Sequence, residues 1–267
     1  MEEKGDLVRV RKEVDWDLEA AAIARRATEM QGPVPLFESV KGYPDSRLCG
    51  DFLATFPRMA MALDLPREAS FREILEAFLK KGEHPVKPNR VSSGPCKEVI
   101  HTGDQVDLLR LPVPMVHGTD GGRYLGTLNI GMFKDPDSDW VNWGMYRLMV
   151  HDRDTLGILI IPFQHVGTIF RKYESRNQPM PYVAAIGLDP AIQIGAASAI
   201  PEGESEMDFI GGLRGKPLDL VKAETCDLLV PATAEIVIEG EILPKARKPE
   251  GPFGRSEERR VGKECRL

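Results

Sequence analysis

The chain has 267 residues, a formal net charge of −6 and a hydrophobic content of 42%, a composition typical of a globular protein and not of a disordered one. The acidic balance argues against broad binding of nucleic-acid phosphates. No run of about 18 apolar residues is present, so no transmembrane helix is predicted. The charged first residues lack the apolar segment of a secretory signal. We therefore expect a cytoplasmic protein that holds any anionic ligand with a local cluster of donors.

The four cysteines, Cys49, Cys96, Cys226 and Cys265, are scattered and none forms a Cys-x-x-Cys pair. This spacing predicts neither a zinc site nor a disulfide framework. Reduced thiols are the simplest interpretation.

The first third of the chain has the pattern of a helical region. Asp17 is the expected N-cap of a first helix, and Pro57 is expected in the first turn of a second. A third helix is predicted from the capping-box pattern of Ser70 and Glu73, with Gly82 past its end. Its apolar stripe is expected to be core: Phe71, Ile74, Leu75, Phe78 and Leu79.

From about residue 86 the chain changes to short apolar runs broken by proline and glycine, which is typical of strands. The expected strands are VDLLRLPVP, YLGTLNIGMF, WVNWGMYRLMV, TLGILIIP, YVAAIGL and AEIVIEGEIL. Two helices are expected between them, at QHVGTIFRKYESR and at DPAIQIGAASAI, the second entered through Asp189 and Pro190. The pattern predicts helices followed by an α+β region rich in strands.

Two places interrupt the apolar pattern with polar side chains. Asn142 and Arg147 lie in a predicted strand and either have structural partners or face a ligand, and an arginine in a strand more often bridges carboxylates. Gln164 and His165 stand at a predicted helix start, where backbone N–H groups favour an anion. Alternatively Gln164 only caps that helix, and a histidine there is more often packed than a metal ligand.

Acidic residues form two further candidate sites. The segment PEGESEMDFIGG, which carries Glu206, is predicted to be a solvated loop. Glu250 begins a rigid turn in KPEGPFG. The strand pattern before that turn places three glutamates on one side: Glu235, Glu239 and Glu241.

Asn142, His165 and Glu206 together offer an amide oxygen, an imidazole and a carboxylate. This mixed set suits a divalent ion such as Mn²⁺ or Mg²⁺, and the sequence leaves open whether the three converge. The signatures HExxH, GxSxG, GxxxxGK and GxGxxG are absent from the sequence. Their absence argues against the commonest metalloprotease, hydrolase, P-loop and dinucleotide-binding interpretations.

The ordered series NWGMYRLMVHD, PFQH, AIGLDPA, LRGKPLDLVKAETCDLLVPATAEIVIEGEI and EGPFG resembles the UbiD family of decarboxylases, which use prenylated FMN. Upstream, LFESVKGYP, RMAMALDLP, DLLRLPVP and HGTDGGRYLGT are similar to the family's N-terminal region. The resemblance implies an α+β fold with a helix-containing N-terminal α/β domain over residues 1–105 and a split β-barrel flavin domain over residues 106–254. It also implies a further C-terminal domain through which a full-length parent would form a homo-oligomer.

The resemblance assigns roles by position. Asn142, His165 and Glu206 match the ligands of the divalent ion that bridges the flavin phosphate, and a requirement for K⁺ stays open. Such an ion would invert the field that a net-negative protein presents to a phosphate dianion. Four residues match positions around the flavin or its phosphate: Gln164, Ser198, Pro201 and Lys222.

Arg147 and Glu250 match the paired arginine and glutamate of the family's Glu-Arg-Glu network. Arg147 would hold the substrate carboxylate and Glu250 would orient it. The flavin would provide the electron sink, and a general acid would protonate the carbon that loses carbon dioxide. The family uses the last glutamate of EGPFGE as this acid, but Arg255 follows EGPFG here, so the expected proton donor is missing.

The tail RSEERRVGKEC resembles the translation of a sequencing adapter, so we expect residues 255–267 to be non-native and the chain to be truncated. A natural charged helix capped by Ser256 is the alternative, although it would leave strand edges of a barrel-like domain unpaired. The leading expectation is a reversible, non-oxidative carboxy-lyase for an aromatic or α,β-unsaturated acid of hydroxybenzoate type, inactive in this 267-residue form. The alternatives are a non-catalytic flavin-binding or assembly module and a metal-binding domain.

Overall fold

A computed structural model describes residues 1–253 of the chain. The α-helices are Glu19–Glu29 (α1), Phe56–Ala62 (α2), Phe71–Gly82 (α3), His165–Ser175 (α4), Pro190–Ala196 (α5) and Glu206–Arg214 (α6). The strands are Leu7–Val10 (β1), Val34–Phe37 (β2), Leu48–Cys49 (β3), Asn89–Arg90 (β4), Tyr124–Gly126 (β5), Ile130–Lys134 (β6), Val141–Gly144 (β7), Leu148–Val150 (β8), Leu156–Ile158 (β9), Met180–Ile186 (β10), Asp219–Lys222 (β11), Leu229–Pro231 (β12) and Ile236–Ile242 (β13). This mixture of helices and strands agrees with the predicted α+β class. Within these residues no helix is long and apolar enough to cross a membrane.

Hydrogen bonding divides the strands of residues 1–253 into four sheets, with the orders β1-β2-β3, β13-β10-β6-β7, β12-β11-β4 and β5-β8-β9. Each sheet is open at both ends of its order, so the split β-barrel stays a prediction. Strand β4 precedes the predicted domain boundary at residue 105 and yet pairs in parallel with β11. The boundary itself stays a prediction.

The sheet β13-β10-β6-β7 lies at the centre of the core, and its inner strands β10 and β6 are buried on both faces. Because strand side chains alternate between faces, Val183 of β10 packs with Ile192 of α5 and Ile210 of α6, whereas Ala184 packs with Ile169 of α4. A strand covered on both faces is expected to be apolar throughout. Helix α4 therefore covers one face of this sheet, and α5 and α6 cover the other.

Several helix predictions are confirmed by local geometry. The Ser70 hydroxyl accepts from the backbone N–H of Glu73, and the Glu73 carboxylate accepts from that of Ser70, which completes the capping box. Helix α2 has proline in its first turn, and the Asp189 carboxylate accepts from the backbone N–H of Ala191 at 2.9 Å to start α5. These interactions form between residues a few positions apart, so they follow from the sequence.

Two details of the predicted N-terminal helices are wrong. Helix α1 begins at Glu19, and its N-cap is Leu18 instead of the predicted Asp17. The backbone N–H of Leu18 donates to the distant carbonyl of Met115 at 3.1 Å, a contact that the local sequence does not reveal. Gly82 is the last residue of α3 instead of following its end.

The predicted core stripe of α3 is also wrong for most of its members. Only Ile74 is buried, and Phe71, Leu75 and Leu79 are 57%, 44% and 56% exposed. The helix packs through Ile74 and the partly buried Phe78. The apolar stripe of α3 is therefore wider than the part of the helix that packs against other described residues.

Two strand and loop predictions are wrong as well. VDLLRLPVP contains the 3₁₀ turn Leu108–Arg110, started by the Asp107 carboxylate, which accepts from the backbone N–H of Leu109 at 3.0 Å. The loop predicted at PEGESEMDFIGG is the start of α6, where the Ser205 hydroxyl accepts from the backbone N–H of Asp208 at 3.2 Å. In both segments a short polar side chain caps a turn of helix.

Helix α6 is held tightly against the N-terminal helices. A β-carbon on Gly211 would stand 2.1 Å from the carbonyl oxygen of Val86. The ammonium of Lys81 on α3 donates to the carbonyl of Leu63 at 2.7 Å and to that of Leu213 on α6 at 3.1 Å. These contacts fix the position of α6 and therefore of its first residue, Glu206.

We predict that Gly211→Ala destabilises the protein by about 1–3 kcal/mol because the added methyl group displaces the backbone at Val86. The free energy of unfolding, measured by denaturant titration, tests this. Gly240→Ala on β13 is the control, because an added β-carbon there meets no atom within 4 Å. Stabilisation by Gly211→Ala, as expected for an unhindered helix position, would show that the contact is not tight.

Candidate active site

The segment that leads into β8 places a charged side chain beside the core. Alternation along the extended chain puts Tyr146 and Leu148 on one side, where both are buried with Phe133. Arg147 and Met149 point to the other side, and the Arg147 side chain keeps 27% of its surface exposed. The segment that leads into β8 therefore contributes both to the core and to a surface that a ligand can reach.

Arg147 and Glu250, named here the Arg–Glu pair, form a bidentate ion pair. Nε of Arg147 donates to Oε1 of Glu250 at 3.0 Å, and Nη2 donates to Oε2 at 2.7 Å. The Glu250 side chain is only 9% exposed. A planar guanidinium held by a carboxylate is a preorganised receptor for a second carboxylate.

A tyrosine from β5 completes the environment of Glu250. The hydroxyl of Tyr124 donates to Oε1 of Glu250 at 3.1 Å. Burial raises the pKa of Tyr124 above its ordinary value, and the negative charge of Glu250 raises it further. Tyr124 therefore stays protonated and acts as a hydrogen-bond donor that fixes one oxygen of Glu250.

The residues that follow Glu250 dock against the loop before β5. Gly251 has a φ of +92°, a conformation that favours glycine. The backbone N–H of Gly121 donates to the carbonyl of Pro252 at 2.7 Å. The ring of Phe253 lies 4.3 Å from that of Tyr124, centroid to centroid. This docking holds Glu250 opposite Arg147.

The structure brings Asn142, His165 and Glu206, named here the ion set, together. Nδ2 of Asn142 donates to Oε1 of Glu206 at 2.8 Å, and Nδ1 of His165 lies 4.0 Å from the same oxygen. Asn142 lies on the edge strand β7, and the other two are the first residues of α4 and α6. Two helix N-termini, each with partial positive charge, therefore meet beside an edge strand.

Glu206 is a buried carboxyl group, one of whose oxygens lacks a hydrogen-bond partner in the described residues. It is 2% exposed, and within residues 1–253 its Oε2 has no hydrogen-bond partner. Burial raises the pKa of Glu206 to about 7. Since a buried carboxylate is costly unless it is neutralised or paired, the site suits a cation.

The donors of the ion set fit a hard divalent ion. Carboxylate, amide oxygen and imidazole are ligands that Mn²⁺ and Mg²⁺ accept. The amide nitrogen of Asn142 faces Glu206 while its oxygen accepts from the hydroxyl of Tyr146 at 2.8 Å, so the amide must turn over to offer oxygen. In the described part of the chain no three His, Cys, Asp or Glu side chains cluster as metal ligands. The ion set reaches three possible ligands only because it includes the amide of Asn142.

The four predicted flavin-site residues lie in different surroundings. Gln164 occupies the N-cap position of α4, as the capping alternative expects, but its side chain makes no capping hydrogen bond. Ser198 and Pro201 lie in the connection from α5 to Glu206. Lys222 is exposed on β11, 3.5 Å from Asp227, and within residues 1–253 it makes no ion pair with the ion set.

Sequence reasoning missed the two tyrosines that support the site. Tyr124 binds Glu250, and Tyr146 binds Asn142. A tyrosine in a buried strand is a signal, because its hydroxyl needs a partner. Of the three glutamates on the β13 side, Glu239 accepts from the backbone N–H groups of Glu224 and Thr225, which is a structural role.

Family models match most of the chain. Residues 89–258 match the UbiD model, described as the 3-octaprenyl-4-hydroxybenzoate carboxy-lyase Rift-related domain, and residues 1–78 match the N-terminal domain of the same carboxy-lyase. The chain therefore belongs to the UbiD family.

Curated relatives are named as decarboxylases. The chain is 40% identical over 261 residues to pyrrole-2-carboxylic acid decarboxylase of Pseudomonas aeruginosa, covering 94% of the chain and 52% of the relative. It is 35% identical over 272 residues to ferulic acid decarboxylase 1 of Saccharomyces cerevisiae, covering 95% of the chain and 53% of the relative. The chain thus spans about half the length of the curated relatives that it matches.

A solved structure of similar fold holds a flavin. The UbiD-class enzyme HmfF from Pelotomaculum thermopropionicum in complex with FMN superposes with a TM-score of 0.88 at 39% identity, covering 96% of this chain and 56% of that one. An evolved dimeric form of HmfF in complex with prFMN superposes with a TM-score of 0.85 at 40% identity, covering 95% of this chain and 57% of that one. The family resemblance and the mixed helix and sheet fold are therefore confirmed.

We predict that the buried Glu206 carboxyl contributes stability to the metal-free protein that is lost as the pH rises from 4.5 to 7. The raised pKa of Glu206, about 7 against an ordinary 4.5, means that the folded state holds a proton in this window that the unfolded chain has lost. The loss amounts to at most about 3 kcal/mol. The free energy of unfolding, measured across this range, tests it.

Glu206→Gln is the matched control for this titration. We expect the free energy of unfolding of the unsubstituted protein to fall relative to that of Glu206→Gln as the pH rises from 4.5 to 7, and we expect Mn²⁺ to restore stability to the unsubstituted protein above pH 7 because the cation replaces the proton. Equal pH slopes for the two proteins would contradict the assignment of the buried proton to Glu206.

Proposed function

We propose that a full-length parent of this chain catalyses the reversible, non-oxidative decarboxylation of an aromatic or α,β-unsaturated carboxylic acid with prenylated FMN. The observation that carries the proposal is the Arg–Glu pair, a partly exposed guanidinium held in a bidentate grip by a buried carboxylate. The names of the relatives support an aromatic acid. A hydroxybenzoate-type acid is the substrate that we propose.

The residues of the chain divide the work between binding the cofactor and orienting the acid. When bound, prenylated FMN supplies the electron sink for loss of carbon dioxide. Arg147 binds the substrate carboxylate, and Glu250 holds the plane of the guanidinium. Tyr124 keeps Glu250 in place. Since the reacting group is an anion, fixing it in one orientation removes much of the entropic barrier.

We propose that the ion set holds Mn²⁺ or Mg²⁺ against the flavin phosphate. The unpartnered oxygen of Glu206 and the two helix N-termini beside it support this role. Gln164, Ser198, Pro201 and Lys222 are proposed to surround the flavin or its phosphate within a split β-barrel. The K⁺ requirement, the homo-oligomer and the cytoplasmic location stay predictions.

The final protonation needs an acid that we do not expect in this chain. Position 255 is arginine where the family resemblance places glutamate, and it lies outside the described residues. We propose that the 267-residue chain as written is inactive for this reason. A non-catalytic flavin-binding or assembly module is the alternative that Arg255 favours, and the sequence of the source DNA across codon 255 separates the two.

The function is tested by carbon dioxide release from a panel of acids: 4-hydroxybenzoate, pyrrole-2-carboxylate and ferulate. We expect turnover of at least one acid by a full-length parent with glutamate at 255, reconstituted with prenylated FMN and Mn²⁺, and none by the 267-residue chain. Turnover of 4-hydroxybenzoate ahead of the others would support the proposed substrate class. Turnover by the 267-residue chain would overturn the proposed need for that glutamate.

We predict that Arg147→Ala in the full-length parent lowers kcat/KM by at least about a hundredfold while the bound flavin is retained, because a charged hydrogen bond to substrate is worth about 3 kcal/mol. Flavin absorbance and carbon dioxide release measure the two effects. Arg171→Ala is the control, since Arg171 is exposed on α4. Retained turnover would remove Arg147 from the substrate site.

We predict that His165→Ala lowers flavin retention, because a divalent ion that helps to bind the flavin phosphate would lose one of its three proposed protein ligands and bind less tightly. Retention of FMN on gel filtration with Mn²⁺ present measures this in the 267-residue chain without any need for turnover. His101→Ala, at an exposed position, should retain FMN as the unsubstituted chain does. Equal retention in both variants would exclude His165 from the ion set.

A further inference from the structure

His151 is a histidine near the Arg–Glu pair whose side chain has no assigned role. It follows β8 directly, and its backbone N–H donates to the carbonyl of Thr155 at 3.0 Å in the turn that leads to β9. Its Nε2 is buried and, within residues 1–253, has no hydrogen-bond partner. A buried polar atom without a partner is uncommon and asks for an explanation.

Strand geometry places this imidazole on the same side as the Arg–Glu pair. Strand β8 spans Leu148–Val150, and alternation continued by one residue at each end places the side chains at 147, 149 and 151 on one face. Met149 pairs with Tyr124 on β5 and with Gly157 on β9. Tyr124, Met149 and Gly157 therefore form a row across the three strands, named here the floor, beneath this face.

Glu250 lies across this floor and reaches both of its ends. At one end its Oε1 accepts from the hydroxyl of Tyr124. At the other, a β-carbon placed on Gly157 would stand 3.3 Å from Cγ of Glu250 and 2.7 Å from Nε2 of His151. The absence of a side chain at Gly157 is what lets the imidazole and the Glu250 side chain approach each other.

This arrangement matters when Arg147 takes up a substrate carboxylate, a step that rests on the proposed function. Glu250 now receives its donors from Arg147 and Tyr124. An arginine that turns one N–H toward the substrate withdraws it from Glu250, and a buried carboxylate that loses a donor is destabilised. A second donor within reach would lower the free-energy cost of that exchange.

We propose that His151 is a positioning residue for Glu250, whose Nε2–H donates to the Glu250 carboxylate when Arg147 turns toward a substrate carboxylate. The Glu250 carboxylate is one bond beyond Cγ, so rotation of its side chain brings an oxygen toward the imidazole. No proton is transferred in this step. His151 acts through Glu250 and does not contact the reacting carbon.

The contact is tested in the 267-residue chain without turnover. Arg147→Ala removes the main donors of Glu250, so we expect a hydrogen-bonded Nε2–H of His151 to appear in the ¹⁵N spectrum of histidine-labelled protein. The signal should vanish in Arg147→Ala/Glu250→Ala, and the resonances of exposed His101 should not move. A His151 spectrum that is the same in the single and double variants overturns the proposal, whether or not the protein is a decarboxylase.

The consequence for binding is tested in the full-length parent with pyrrole-2-carboxylate as the probe. His151→Leu should raise KM about tenfold or more, which is what the loss of one hydrogen bond to a charged group produces. Bound flavin should be unchanged, His151→Gln should recover part of the loss because its amide N–H lies near the position of Nε2, and His101→Leu should have no effect. An unchanged KM in His151→Leu, or equal losses in the Leu and Gln variants, would contradict the positioning role.

Discussion

The bidentate pair between Arg147 and Glu250 is the interaction on which the rest of the site depends. It joins residues 103 positions apart and ties the turn after β13 to the segment that leads into β8. With Tyr124 it satisfies a carboxylate that is nearly buried. A guanidinium held in this way has its plane fixed before any ligand arrives, and such preorganisation reduces the entropic cost of binding an anion.

Alternation of side chains along the segment before β8 places the contact with the ion set on one side of the chain and the contact with Glu250 on the other. Tyr146 points inward and holds the amide of Asn142, whereas Arg147 points outward and holds Glu250. A shift of one residue in register would exchange these faces and place a guanidinium in the apolar core. Packing of the core therefore determines the relative position of the ion set and the Arg–Glu pair.

Two helix starts could be predicted from the sequence because they depend on local interactions. The capping box of Ser70 and Glu73 and the start of α5 depend on neighbouring residues. The start of α6 was missed although its cap, Ser205 to Asp208, is also local, because a glycine pair after acidic residues has the pattern of a loop. The exposed face of α3 was predicted as core since periodicity shows amphipathicity without showing which part of a stripe is covered.

The site was readable by residue type and not by geometry. Asn142, His165 and Glu206 were selected for their donor chemistry, and only the tertiary fold shows that β7, α4 and α6 bring them together. Tyr124, Tyr146 and His151 escaped notice because each is an ordinary residue of an apolar strand or turn until its partner is known. The family resemblance supplied the roles of Arg147 and Glu250, and the structure adds how they are held.

The central claim is that the segment between β7 and β8 joins two neighbouring sites: Tyr146 holds Asn142 of a divalent-ion site, and Arg147 holds Glu250 of a carboxylate site. The most direct test is a crystal structure of the protein grown with Mn²⁺, FMN and pyrrole-2-carboxylate, with anomalous scattering recorded at the manganese edge. The account predicts an anomalous peak in contact with Asn142, His165 and Glu206, and the acid's carboxylate on Arg147. Manganese bound elsewhere, or a carboxylate that leaves Arg147 untouched, would contradict it.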